Sequence, residues 1–188
     1  MSQFDFLSVL VAIIIALGLS HILSGAAQLI RRRHQVKMHV TTLVWMGVLL
    51  LLLVQVWWAA FYRREVSHWT FFGFILYLLI PILISILGYL LVSPAELELH
   101  ASFDLEREYY DNRKWFFGIL GSVVIISLGE DAIRSRTLTL DLNSGVRLGF
   151  LALCGAGFAI PARRAQFMIA LSFLVAFLCY LGFVFKQL

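Results

Sequence analysis

Residues 13–28 have the sequence IIIALGLSHILSGAAQ, an apolar run that is broken on one side by small and polar residues. Gly18, His21, Gly25 and Gln28 follow one another at intervals of three, four and three positions, so they share one face of an α-helix. Small residues on such a face let another helix approach closely, and His21 and Gln28 can hydrogen-bond across the contact. The stretch predicts a membrane-spanning helix whose polar face packs against the protein or lines a pathway.

The rest of the chain is also strongly apolar. Of its 188 residues, 61% are hydrophobic and 14% are charged, whereas about a quarter of the residues of a soluble domain are charged. About 20 apolar residues cross a bilayer as a helix, and apolar segments close to that length recur along the chain. The sequence predicts one all-α integral membrane domain over residues 1–188, with six transmembrane helices at about 6–29, 39–61, 70–92, 115–133, 146–161 and 165–185.

Two of these spans have unusual features. In the third, Tyr77, Pro81, Ser85 and Gly88 fall on one helical face, and Pro81 is expected to bend the helix. In the fifth, the apolar part covers only 148–161 and contains three glycines, so this span is expected to be tilted or partly broken.

The interval between the third and fourth spans is acidic. It contains six of the eleven acidic residues, namely Glu96, Glu98, Asp104, Glu106, Glu108 and Asp111. Apolar and aromatic residues alternate with them, which predicts a short amphipathic helix at the membrane surface, either solvated or docked to a partner. His100 and these carboxylates match no metal-ligand spacing, so no metal site is expected.

The distribution of basic residues indicates the orientation. Nine Lys and Arg residues lie in loops 1–2, 3–4 and 5–6, and six lie on the other side. Cytoplasmic loops carry the excess of Lys and Arg, so we expect the nine-residue side to be cytoplasmic and both termini to face away from it. Because the basic residues flank spans, they do not suggest binding to nucleic acid; the expected partners are the lipid bilayer and either further copies of the chain or membrane partner subunits.

An internal repeat is one interpretation of two similar stretches. IIIALGLSHI at 13–22 and VIISLGEDAI at 124–133 share five identities in ten positions. A true repeat of three spans per half would make an inverted 3+3 architecture, as in many transporters. It would also place His21 opposite Glu130 and Asp131 across a pseudo-twofold axis. Similar apolar composition alone explains the match equally well.

The polar residues within spans are the candidate site. They are His21, Gln28, Gln55, Tyr77, Glu130 and Asp131. Polar groups inside a bilayer usually face the protein interior or water, so each either lines a pathway or hydrogen-bonds to another helix. No catalytic motif is recognisable, and only His21 is deep enough to ligate haem, so we expect no enzyme activity and no cofactor.

Two functions remain open at this point. The first is a small channel or transporter for protons or other small ions, acting as a homo-oligomer, because His21 titrates near neutral pH and the third span has a proline. The second is an accessory or scaffold subunit of a larger membrane complex, because the same polar groups suit helix packing and the acidic loop suits docking. The two differ in whether the polar faces meet in a hydrated cavity.

Overall fold

The computed structural model describes residues 3–62, 70–93, 103–135 and 142–184, with side chains from 8–60, 70–93, 103–130 and 144–182. Within these ranges the chain forms six helices and a pair of two-residue strands. The helices are α1 (Gln3–Arg31), α2 (Val40–Tyr62), α3 (Phe71–Leu91), α4 (Leu105–Ser135), α5 (Leu142–Ala159) and α6 (Arg163–Val184), and the strands are β1 (Val36–Lys37) and β2 (Phe103–Asp104).

The all-helical class is confirmed, and the apolar helices fit a membrane protein, but a bundle of six spans is not confirmed. Four helical stretches are long and apolar enough to cross a bilayer: Ser8–Arg31, Val40–Ala60, Phe71–Leu91 and Arg163–Gly182. The apolar part of α5, Ser144–Ala159, is shorter than these, in keeping with the unusual fifth span of the prediction. Five of the six helices begin and end within four residues of the predicted spans.

Helix α4 departs from its predicted bounds. It begins at Leu105 rather than at 115, so the part of the acidic segment from Leu105 onward is continuous with the apolar part of α4 and is not a separate surface helix. Asp104 caps this start, because one of its carboxylate oxygens accepts hydrogen bonds from the backbone N–H groups of Glu106 at 2.9 Å and Arg107 at 3.2 Å. Residues 94–102, which include Glu96, Glu98 and His100, lie outside the described residues.

Three connections meet at one end of the bundle, which we call the three-loop end. β1, between α1 and α2, pairs in parallel with β2, in front of α4. Lys37 in β1 contacts Asp104 at 2.9 Å, and Arg163 at the start of α6 contacts Glu106 at 3.1 Å. The segments before α2, α4 and α6 therefore lie side by side, and each helical hairpin between them runs away from this end and returns.

Helices α1 and α3 pack closely at glycine positions. A Cβ atom built on Gly18 would collide with the Ser85 hydroxyl, one built on Gly25 would lie 3.2 Å from Val92, and one built on Gly88 would lie 3.2 Å from Ile22. Small residues were predicted to allow such an approach on the face of 13–28. This part of the face is therefore an internal helix contact.

The bundle core is rich in aromatic residues. Trp45 of α2 is fully buried, and its ring lies 5.0 Å from that of Phe116, 5.5 Å from that of Phe117 and 5.2 Å from that of Phe173. Such tilted and edge-on arrangements are the preferred geometry of aromatic pairs. Trp45 thus joins α2 to α4 and α6 at the centre of the molecule.

Candidate functional site

A cavity of about 150 Å³ lies between α2, α3, α4, α5 and α6. Its walls are mainly apolar, but α2 contributes Gln55, α3 contributes Tyr77, and α4 contributes Ser127 and Glu130. Three of the six predicted site residues therefore meet at one place, although they come from three different helices. Helix α1 contributes none of the residues that line the cavity.

Arg147 is the cationic member of the cavity wall. Its guanidinium donates a hydrogen bond to the Ser127 carbonyl of α4 at 2.9 Å, which links the start of α5 to α4. Glu130 lies one helical turn after Ser127 and lines the same space, half-buried. The cavity thus combines a carboxylate, a guanidinium, an amide and hydroxyl groups inside an otherwise apolar bundle, and polar groups within a membrane usually face one another or water. The sequence analysis did not single out Arg147.

Tyr77 lines the cavity from α3. It is 4% exposed, and its hydroxyl donates to the Val56 carbonyl of α2 at 3.5 Å. One turn later α3 continues through Pro81, whose carbonyl accepts a hydrogen bond from the Ser85 hydroxyl at 2.8 Å. Proline weakens the helix locally because it lacks a backbone N–H donor. The hydrogen bond from Ser85 is made to the carbonyl of this same proline.

His21 lies away from the cavity, in the contact between α1 and α3. Its Nε2 is 3.0 Å from the Val92 carbonyl, and its ring stacks on that of Tyr89 with 3.5 Å between centroids. A carbonyl oxygen only accepts, so Nε2 carries the hydrogen of this bond. Gln28 is half-buried two turns further along α1 and is not among the residues that line the cavity. The side chain of Asp131 lies outside the described residues.

An aromatic layer separates the cavity from the three-loop end. Phe150 and Phe173 line the cavity with 4.5 Å between their centroids, and Phe173 in turn contacts Trp45. Trp45 packs on Phe116 and Phe117 on the far side. Packed aromatic rings of this kind leave little room for water between the cavity and the three-loop end.

Beyond the aromatic layer lies a buried polar network that sequence reasoning missed. The Arg113 guanidinium donates to the carbonyls of Gly157 at 2.7 Å and Phe158 at 3.1 Å. Gln166 donates to the carbonyls of Gly157, at 2.9 Å, and Ile160, and it accepts the Tyr109 hydroxyl at 2.6 Å. These contacts satisfy the carbonyls at the end of α5, which have no partner within the helix. The sequence feature that could have indicated this network is Gln166, a single amide side chain in the first turn of an apolar span.

Burial determines the protonation states of His39 and Tyr109 in this region. His39, just before α2, is 4% exposed, and its Nδ1 is 3.0 Å from the Thr42 hydroxyl. Burial lowers the pKa of His39, because the imidazolium is poorly solvated there. Burial likewise raises the pKa of the Tyr109 hydroxyl above its ordinary value. Both side chains are therefore neutral at pH 7.

Comparison with known proteins gave no match: no family model, no curated protein and no solved structure is similar to this chain. Among the residues with described side chains, no three His, Cys, Asp or Glu residues are grouped so that they could hold a metal ion. The candidate site is accordingly described by its geometry alone.

Proposed function

We propose that the chain is a small membrane channel or transporter for protons or other small ions, in which six helices cross the bilayer. The observation that carries the proposal is the cavity, where Gln55, Tyr77, Glu130 and Arg147 from four helices meet inside an apolar bundle. Polar and ionisable groups are costly within a bilayer unless they face one another or water. Their convergence on one space favours a solute pathway over simple helix packing.

The aromatic layer explains how such a pathway is closed. Phe173 lines the cavity, and its ring packs on that of Trp45, which lies outside the cavity lining. The aromatic layer closes the cavity toward the three-loop end, so the proposed pathway has a solute reach the cavity from the opposite end. By the excess of Lys and Arg in the three loops, we expect this opposite end to face away from the cytoplasm.

Proton and ion flux into liposomes tests the proposal directly. Purified protein is reconstituted with a pH-sensitive dye inside, and flux is driven by an imposed proton gradient or, in parallel, by gradients of Na⁺ and K⁺. We expect flux above that of protein-free liposomes, and a loss of roughly tenfold in Glu130→Gln, because a hydrogen bond to a charged group is worth about 1.5–3 kcal/mol.

Two variants serve as controls for this loss. Asp111→Asn removes the same charge from an exposed site on α4, outside the cavity, and should leave the flux unchanged. His21→Leu should also keep the flux, because His21 does not line the cavity. Flux equal to that of empty liposomes, or full flux in Glu130→Gln, would overturn the proposal.

Homo-oligomer formation belongs to the same proposal. The outer faces of the helices are apolar, with Leu17, Ile30 and Phe72 each more than half exposed, and such faces contact either lipid or another copy. Native mass spectrometry of gently extracted protein should give a fixed number of identical chains. A fixed ratio of other subunits would instead favour the accessory or scaffold function.

The acidic segment gives that alternative less support than its sequence suggested. Asp104 caps α4 and pairs with Lys37, and Glu106 pairs with both Lys37 and Arg163. These two carboxylates are used within the chain, so a docking surface would depend on the remaining acids of the segment. Neutralising Glu96 and Glu98 together should leave flux intact if the transport proposal is right.

The inverted repeat stays a prediction, and the packing gives it little support. The repeat superposes Gly18 on Gly129, yet a Cβ atom on Gly18 would collide with α3, whereas none of the described atoms lies within 4 Å of one on Gly129. Helices α1 and α3 pack extensively, while α4 and α6, their counterparts, are not a major contact pair in the described residues. The pathway proposed here does not depend on the repeat.

A further inference from the structure

The three-loop end is held closed by ion pairs that join three separate connections. Lys37, between α1 and α2, contacts Asp104 at 2.9 Å and Glu106 at 3.5 Å. Glu106, in the first turn of α4, also contacts Arg163 of α6 at 3.1 Å. Glu106 therefore pairs with basic groups from both of the other connections, and its side chain is 19% exposed.

We propose that Glu106, with Lys37 and Arg163, forms an ionic gate over the three-loop end of the pathway. The inference rests on the proposed transport function and identifies the part that must open for a solute to leave the cavity toward this end. The gate lies on the opposite side of the aromatic layer from the cavity, beside Tyr109 and Gln166.

The geometry suits a contact that opens and closes. Lys37 and Arg163 are 63% and 72% exposed, so each can be released into water without burying an unpaired charge. In each pair the basic partner is exposed, so water competes for it and the pair is weaker than a fully buried one. Asp104 is fixed at the start of α4 by two backbone hydrogen bonds, so it can keep Lys37 close to this end after Lys37 has left Glu106.

The layer below the gate gives a site at which opening can be measured. On α6, Arg163, Gln166, Ala170 and Phe173 follow one another on one helical face. Ala170 is fully buried between the polar network and the aromatic layer. Ala170→Cys adds only one sulfur atom at this position, and the new thiol should react with a water-soluble maleimide only when water reaches it from the three-loop end.

The experiment measures the rate of that reaction in the full chain, with Cys154→Ala and Cys179→Ser to remove the native thiols. Adding Glu106→Gln should raise the rate by roughly tenfold, the change expected when two weak ion pairs are lost together. Asp111→Asn is the matched control, because its partner Arg107 is on the same helix, 3.8 Å away, and its rate should not change.

A charge swap separates the ion pair from other effects of the substitution. Glu106→Arg combined with Arg163→Glu restores an attraction between α4 and α6 and should return the rate toward that of the parent. If Glu106→Gln fails to fold, Arg163→Gln removes one of the two pairs at a more exposed position and should raise the rate in the same direction, by less.

The outcomes distinguish failure of the gate from failure of the transport proposal, because the reaction rate is measured without any ion gradient. Equal rates in the parent and in both neutralised variants would overturn the gate, whatever the flux. A faster reaction in Glu106→Gln, together with faster flux, supports both proposals. A faster reaction without flux in any variant supports a contact that opens and overturns the transport function.

Discussion

At the scale of single residues, a hydrogen bond to the Val92 carbonyl explains why a histidine, His21, occurs within the apolar helix α1. Helix α3 ends at Leu91, so the carbonyl of Val92 has no helical N–H partner, and His21 donates to it from α1. An unsatisfied carbonyl within a bilayer is costly, and Tyr89 covers the imidazole on its outer side. His21 therefore stabilises the junction of two helices, and its role is in packing rather than in the cavity.

Loss of His21 should accordingly reduce stability. His21→Leu keeps an apolar side chain in the site but leaves the Val92 carbonyl unpaired, which costs about 1–3 kcal/mol. We expect the unfolding temperature in detergent to fall by about 2–4 °C for each kcal/mol lost, as followed by tryptophan fluorescence. Tyr89→Phe, which keeps a ring against the imidazole, is the control and should unfold close to the parent. An unfolding temperature in His21→Leu equal to that of the parent would contradict the assigned role.

His39 predicts a dependence of stability on pH. Because burial lowers its pKa in the folded protein, the unfolded chain takes up a proton at a higher pH than the folded one. Stability is therefore complete above the ordinary histidine pKa of 6.5 and falls as the pH drops from there through the lowered pKa. Unfolding temperatures measured from pH 8 to pH 5 should decrease over the lower part of that range.

His39→Asn is the matched variant for this effect. Asparagine caps a helix well, so it can replace the contact that His39 makes with Thr42 at the start of α2, and it does not titrate. The variant should lose less stability than the parent between pH 7 and pH 5. The pKa of His39 is raised by the nearby carboxylates of Glu106 and Asp104 and lowered by the charges of Arg163 and Lys37. Because these effects oppose each other, burial is the main cause of the lowered pKa. A pH profile identical to that of the parent would remove His39 from the explanation.

At the scale of helices, glycine placement decides how close α1 lies to α3. In Gly18→Ala the new methyl group would meet the Ser85 hydroxyl and lie 3.0 Å from Leu53. Ser85 would have to give up its bond to the Pro81 carbonyl, and overpacking of this kind costs about 1–3 kcal/mol. Gly47→Ala, where no described atom lies within 4 Å, should instead gain up to about 1 kcal/mol of helix propensity.

The measurement is again the unfolding temperature in detergent. Combining Gly18→Ala with Ser85→Ala should recover part of the loss, because the hydroxyl that the methyl group meets is then absent. If Gly18→Ala and Gly47→Ala change stability by the same amount, the close approach of α1 and α3 is not what makes Gly18 necessary.

The bounds of the helices were largely predictable from sequence, whereas the contacts between helices were not. Apolar length and flanking basic residues determine where a span begins and ends, so the bounds of α2 and α3 agree with the prediction to within one residue. Glu130 and Gln55 were selected because they are polar within spans, but nothing local indicates that they share a cavity while His21 does not. The link from Tyr109 to Gln166 joins positions 57 residues apart, and sequence periodicity carries no information at that distance.

The start of α4 is the clearest case of a local rule overruled by tertiary structure. Charged residues from Glu106 to Lys114 suggested a surface segment, because such residues do not enter the hydrocarbon core. Glu106, in the first turn of α4, is instead paired with Lys37 and Arg163 at the three-loop end, and the buried Arg113 donates to the Gly157 carbonyl of α5. A single long helix results, since each charge has a partner or faces water.

At the scale of the whole molecule, the three-loop end implies a topology that labelling can test. Arg163 contacts Glu106, so the pair of helices α4 and α5 must run away from this end and return, despite the short apolar part of α5. Six helices that alternate in direction then place both termini at the other end.

Single cysteines are introduced as Arg33→Cys, Arg107→Cys, Arg164→Cys, Ser2→Cys and Gln187→Cys, in the background without native thiols. An impermeant maleimide applied to sealed, oriented vesicles should label the three arginine positions from one side and the two terminal positions from the other. By the positive-inside rule we expect the arginine side to be the cytoplasmic one. Labelling of Gln187→Cys together with Arg107→Cys would show that one helix fails to cross, and α5 would be the first to examine.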